Sequence, residues 1–224
     1  MSLERGKSSD RARFIAPPGA VTRWWWVRHA PVAVAGEGIY GADDIPADFS
    51  DRPAFENLAR RLPKSAVWIT SHLRRAKGTA AAIADAGYAM SSPIVEPAFA
   101  EQDYGVWQGR PHRDILPEVA AYGRHKFWFA AADAKPAKGE SFRDVIARVA
   151  AAVTRFTLEH AGRDIVAVAH GGVIRAALAH ALAIDPDRAL GISADNLSTT
   201  RLDHVAGEGK GGDWRLVFVN ARAR

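Results

Sequence analysis

The chain has no cysteine, which removes disulfide frameworks, thiolate nucleophiles and cysteine-based zinc sites together. It has no apolar run approaching the roughly 18 residues that span a bilayer and no internal repeat. No Gly-x-Gly-x-x-Gly follows its first apolar run, which argues against a nucleotide-binding domain of the Rossmann kind. Residues 1–20 are polar and basic, carry Pro17-Pro18-Gly19 and lack the apolar centre of a signal peptide. They read as a flexible basic extension to a single domain over residues 21–224, with a cytoplasmic location and no membrane partner expected. Net positive charge is also thin over most of the chain. The net charge is +5, and residues 1–23 hold five Lys/Arg against two Asp/Glu, so +3 of it lies there. A near-balanced body argues against specific nucleic-acid binding, and a modest positive potential suits a small anionic substrate equally well.

What is present is enough apolar material, 48% of 224 residues, for one substantial core. Thr22 to Val27 is too short and too apolar for anything but a strand buried on both faces, the central one of a parallel sheet. Ser50-Asp51 can cap a helix that has Pro53 in its first turn and ends before Pro63. Ala66 to Thr70 reads as a strand, and Leu73 to Ala86 as a helix closed by Gly87. Ile94-Val95 is a short strand. Residues 101–138 are irregular and aromatic, with Phe127-Trp128-Phe129 as their apolar anchor, and long loops over a sheet usually cover sites. Ser141 and Asp144 have capping-box spacing, and Val145, Val149, Val153 and Phe156 then repeat on one helical face. Asp164 to Ala169 is a strand and Val173 to Ile184 the helix after it. Two last strands, Thr199 to Val205 and Trp214 to Val219, flank a glycine-rich turn. Strands alternating with helices predict a three-layer α/β sandwich, a mostly parallel central sheet covered by helices on both faces.

Two of these strands run directly into a histidine: Val27-Arg28-His29-Ala30 and Val168-Ala169-His170-Gly171-Gly172. In an open α/β sheet, ligands bind at the carboxyl ends of strands. Between them stand Ser71-His72-Leu73-Arg74-Arg75-Ala76 and Glu101-Gln102-Asp103-Tyr104-Gly105-Val106-Trp107-Gln108-Gly109. In this order the four segments resemble the histidine phosphatase superfamily, which also holds the cofactor-dependent phosphoglycerate mutases. The resemblance spans roughly residues 22–220 and implies the phosphoglycerate mutase-like fold.

The resemblance implies a phosphatase acting on a small phosphorylated metabolite, with no metal and no cofactor. It makes His29 the nucleophile that becomes phosphohistidine, a role open to a neutral imidazole near pH 7. Arg28 and Arg75 become the phosphate clamps, since guanidinium forks match phosphate oxygens; Arg74 is left to solvent. His170 would donate to the phosphoryl group, and Gly171 would let the backbone approach an anion at a helix start. Glu101, shielded by Tyr104 and Trp107, would protonate the leaving oxygen and then activate water. His72, Tyr40, Gln102, His112 and Arg113 are expected to line the mouth. The remaining histidines show no metal-ligand spacing with carboxylates. The chain departs from the family pattern at Ala30, where a glycine is usual, in Pro31-Val32-Ala33-Val34, which lacks the usual asparagine, and at Gln108, where a glutamate is usual. Only about 30 residues separate Gly109 from Gly139, without the long insertion of the mutases, so hydrolysis is expected over transfer. A non-catalytic anion- or protein-binding module is the rival reading, and a homodimer is left open.

Overall fold

The structure, a computed structural model, describes residues 17–32 and 38–222. Most of the expected extension, and Ala33 and Val34 of the first loop, lie outside the described residues. Of the extension's described part, Gly19 and Ala20 are tied to the body: Gly19 donates to the Ala206 carbonyl and Ala206 donates to that of Ala20.

Six strands form one sheet in the order β3-β2-β4-β1-β5-β6, with β1 at Val21–Arg28, β2 at Val67–Thr70, β3 at Ile94–Val95, β4 at Asp164–Ala169, β5 at Thr199–Val205 and β6 at Trp214–Ala221. The first four are mutually parallel, and β5 runs antiparallel to both β1 and β6. The sheet is thus mostly parallel, with β1 and β4 at its centre.

The period-two alternation of β1 and β4 divides the core. Trp24, Trp26, Ile165, Ala167 and Ala169 face one layer, which holds α4 (Phe142–Glu159), α5 (Gly171–Leu182) and the short α6 (Pro186–Leu190). Val27, Val166 and Val168 face the other, which holds α1 (Arg52–Arg61) and α2 (Arg74–Asp85). Trp24 and Trp26 stack at 5.1 Å between ring centroids. Trp25 is partly exposed, packing on Phe218 and donating to Asp164.

Local signals hold the helix ends where the sequence puts them. The Asp51 carboxylate accepts from Ala54 N at the start of α1, and Ser141 and Asp144 form a full capping box on α4, so a backbone donor is satisfied at each end. Two elements differ from expectation. The region read as irregular contains α3 (His112–Val119), disguised by Pro117 inside it, and α6 is too short to show a period. Ile115 and Val119 of α3 join Ile39, Tyr104, Trp107, Ala130 and Ala134 in a third apolar cluster outside the two layers. Phe127, read as an anchor, is 73% exposed; Phe129 packs on that third cluster and Trp128 against the α4–α5 layer.

Candidate active site at the carboxyl edge of the sheet

Sheet order assembles the site. Strands β2, β4 and β1 are neighbours, with Arg28 opposite Ala169 and Thr70 opposite Val168. The residues that immediately follow them, His29, His170 and Ser71, therefore leave the sheet side by side. The two imidazole rings lie 5.0 Å apart, and both histidines are wholly buried.

Hydrogen bonding fixes the state of each ring. His29 Nδ1 lies 2.6 Å from the Ala30 carbonyl, which only accepts, so Nδ1 carries the proton and the lone pair sits on Nε2. That Nε2 has no partner among the described residues. Burial, with the charges of Arg75 and Arg28 behind it, lowers the His29 pKa to about 3 even though the Ala30 bond works against this, so the ring is neutral at pH 7. The backbone is held on every side: His29 N donates to Ala169 O, Asn196 donates to His29 O, and Ala30 N donates to Thr79 Oγ1.

His170 Nδ1 accepts from Arg75 Nε at 3.2 Å, so the neutral ring has its proton on Nε2, which donates to Ser71 Oγ at 2.8 Å. Burial, then the charges of His29, Arg75 and Arg28, pull its pKa well below the usual histidine value. Sequence reasoning makes His170 a donor to the phosphoryl group. In this arrangement its one N–H is already given to Ser71, and the atom on its other side accepts.

Arg75 is fully buried at the first turn of α2. Besides His170 it donates to the carbonyls of Asp43 and Gly41, and its guanidinium lies 5.2 Å from the Tyr40 ring centre. Arg74 is exposed and paired with Asp44, as the motif's alignment on Arg75 requires. Arg28 donates to Ala194 O at 2.6 Å, and its Nε is buried without a partner among the described residues.

Glu101 reaches the same edge from the loop after β3. Its carboxylate accepts from Gln102 N and, at 3.3 Å, from Gly172 N at the start of α5. A Cβ on Gly172 would lie 2.3 Å from Glu101 Oε1, so glycine there is a steric requirement of the carboxylate. Arg148 of α4 holds this loop by donating to the carbonyls of Ala98 and Ala100 while pairing with Glu140. Gly105 is needed too: its φ is +46°, and a Cβ would meet Ala137 O at 2.2 Å.

A pocket of about 250 Å³ opens on this edge, and Arg28, Tyr40, Glu101, His112, Gly171 and Arg175 are among the residues lining it. A wider depression beside Phe127 contains none of the motif residues. Tyr40, His112 and Gly171 line this pocket, and Gln102, His72 and Arg113, expected at its mouth, are not among its lining residues. The Gln102 side chain is buried and donates to Glu140 O, holding the loop. His72 is exposed, because alternation along the Ser71–Leu73 segment turns Ser71 and Leu73 inward instead. Arg113 is exposed beside Asp114. The residues missed are Ser71 as the partner of His170, Asn196 behind His29, and Arg175, whose signal was its place one helical turn after Gly171. Among the described residues no group of three His, Asp or Glu side chains is placed to hold a metal ion, and no helix is long and apolar enough to cross a membrane.

Residues 24–221 match the histidine phosphatase superfamily, branch 1, and the chain belongs to that superfamily. A glucosyl-3-phosphoglycerate phosphatase of Mycolicibacterium vanbaalenii is 34% identical over 227 residues, covering 91% of this chain and 96% of that protein. A solved mycobacterial glucosyl-3-phosphoglycerate phosphatase in its native form shares the fold with a TM-score of 0.72 at 24% identity, over 90% of this chain and 99% of the other. The α-ribazole phosphatase of Shigella flexneri does so with a TM-score of 0.70 at 22% identity, over 89% and 96%. Within the superfamily the chain falls in the phosphatase branch, as a histidine phosphatase.

Two outcomes follow from this geometry. A histidine with a usual pKa of 6.5 that is lowered to about 3 on folding binds fewer protons in the native than in the unfolded chain between those values. Its contribution is therefore complete above pH 6.5 and lost as pH falls toward 3. The urea midpoint should drop from pH 7 to pH 4, and less steeply in His29→Asn; equal slopes would contradict the buried neutral ring. Gly172→Ala should displace the Glu101 carboxylate and lower kcat/KM on an alkyl phosphate by about 100-fold, with the thermal midpoint little changed.

Proposed function

We propose that the protein is a metal-independent phosphomonoesterase that hydrolyses a small phosphorylated metabolite through phosphohistidine at His29. The observation that carries this reading is the fixed tautomer of His29. Its Nδ1–H is spent on Ala30 O, and its Nε2 lone pair is unpartnered beside two guanidinium groups.

In the first step Nε2 attacks phosphorus, the bond from phosphorus to the ester oxygen breaks, and Glu101 gives its proton to that oxygen so that an alcohol leaves. In the second step the Glu101 carboxylate takes a proton from water as its oxygen attacks phosphorus. The nitrogen–phosphorus bond breaks, and neutral His29 and protonated Glu101 return. Arg28 and Arg75 supply fixed positive charge to the equatorial oxygens beside the buried His29 and His170, where such charge acts strongly. His170 acts through the bond that its Nδ1 accepts from Arg75, which holds that guanidinium in place.

The pocket's size supports a small leaving group. The relatives' substrates, glucosyl-3-phosphoglycerate and an α-ribazole phosphate, are of that class.

Phosphate release from a panel of phosphomonoesters should be abolished in His29→Ala and unchanged by EDTA, and a strong EDTA effect would overturn the metal-free mechanism. Glu101→Gln should cost about 100-fold or more on alkyl phosphates but under about tenfold on p-nitrophenyl phosphate, whose leaving group needs no proton. Equal losses on both esters would remove Glu101 from the role of acid.

A further inference from the structure

The two phosphate clamps are held very differently. Arg75 donates to three acceptors, whereas the side chain of Arg28 has one hydrogen-bond partner among the described residues, the Ala194 carbonyl. Where the Arg28 guanidinium sits therefore depends on how one peptide unit is turned.

That unit is gripped from its other side. The carbonyl of Ala194 and the N–H of Asp195 belong to the same planar peptide, and the N–H donates to Asn220 Oδ1 at 2.6 Å. Asn220 Nδ2 also donates to the Asp195 carboxylate at 3.2 Å, and the Asn220 backbone N–H donates to Thr200 Oγ1. A line of bonds thus runs from Asn220 through a single peptide to Arg28, each polarising the next.

The backbone of β6 is shaped to aim that amide. Between the pairs of Arg201 with Phe218 and Thr199 with Ala221, Val219 and Asn220 stand against Thr200 alone. This is a β-bulge, which takes a side chain out of the strand's alternation and re-aims it. Asn220 there has a φ of +52°, and asparagine is among the few residues with a side chain that tolerate the left-handed region. The segment before β5 is tied to β1 at two further points, where Asn196 donates to His29 O and Leu197 N donates to Arg28 O. Both of those bonds hold main chain, so the guanidinium is left to the peptide between Ala194 and Asp195.

We infer that Asn220, on the edge strand and not among the residues lining the pocket, is a positioning residue that acts through this peptide to hold Arg28 toward the phosphoryl oxygens. The inference rests on the phosphomonoesterase reading, in which Arg28 is a clamp, and adds a residue to it.

The test is steady-state hydrolysis of p-nitrophenyl phosphate, or of the panel ester that wild type cleaves fastest, with inorganic phosphate as competitive inhibitor. Glycine suits the left-handed backbone and removes both side-chain bonds. Asn220→Gly should raise KM and the inhibition constant of phosphate about tenfold and lower kcat/KM by about 30-fold or more. A mere loss of folded enzyme lowers kcat and leaves KM and the inhibition constant unchanged, and that pattern would overturn the inference. Asn220→Asp keeps an acceptor for Asp195 N, with Arg222 paired to Asp195 to offset the added charge. It should recover most of the loss, to within about threefold of wild type. Equal losses with aspartate and glycine would move the link from the peptide to the Asp195 carboxylate and overturn the inference as well. Asn220→Ser, whose hydroxyl stops one bond short of the peptide, replaces the glycine variant if that one does not fold. Failure of both to fold would make Asn220 a residue of the fold instead of the site, against the inference. Wild-type kinetics in Asn220→Gly would also sink it and leave the phosphomonoesterase standing. Phosphate release by wild type from no ester of the panel would instead bring down the reading on which it rests.

Discussion

A fully buried guanidinium with no carboxylate within ion-pairing distance among the described residues is the constraint around which the site is arranged. Removing Arg75 from water costs several kcal/mol, and what offsets that cost here is dipoles: the carbonyls of Gly41 and Asp43, the Nδ1 of His170 and the face of Tyr40. These partners come from the loop after β1 and from the end of β4, and Arg75 itself stands on α2. One side chain thereby ties three separate segments to a single point. Because its partners are neutral, its charge stays uncancelled and available to an anionic ligand. The same charge helps keep both histidines deprotonated, which preserves the lone pair that phosphoryl transfer needs.

The departures from the family pattern look different once their surroundings are known. Gln108 stands where a glutamate is usual. Its oxygen accepts from Ala42 N and Tyr104 N, and its amide nitrogen donates to Asp43 at 2.6 Å. A glutamate could not make that last bond and would place a second negative charge against Asp43. The amide thus braces the loop whose carbonyls hold Arg75. Ala30 is buried, and it is not among the described non-glycine residues with positive φ, so the backbone there does not call for glycine. Its carbonyl still sets the His29 tautomer, a duty that any residue could perform.

Much of this was legible in the sequence because it depends on local pattern. The short apolar runs from Thr22 to Val27 and from Asp164 to Ala169 located two strands, the first of them read as central, and strand ends located His29 and His170. Asp51, Ser141 and Asp144 announced helix starts through capping chemistry. What stayed hidden depends on which way a side chain turns and on what lies across the fold. Gln102 and His72 sit inside the right motifs but face away from the pocket, one into the loop's own scaffold and one into solvent. The bond from His170 to Ser71 joins residues 99 positions apart, and only the adjacency of β2 and β4 creates it. Pro117 broke the period that would have revealed α3.

The third apolar cluster, built from Ile39, Tyr104, Trp107, Ile115, Val119, Ala130 and Ala134, draws none of its members from the sheet or from the helices that flank it. Its packing is therefore separate from that of the two layers from which His29 and His170 emerge, and it reaches the chemistry only through the loop at residues 40–43 that holds Arg75. Substitutions within it alter the shape of the chamber over the reacting atoms while the two main layers keep their register. The two histidines and the chamber's roof consequently rest on different cores. Over evolutionary time such a division lets one scaffold trade substrates by drift in its roof, while the floor on which bonds are made and broken stays fixed.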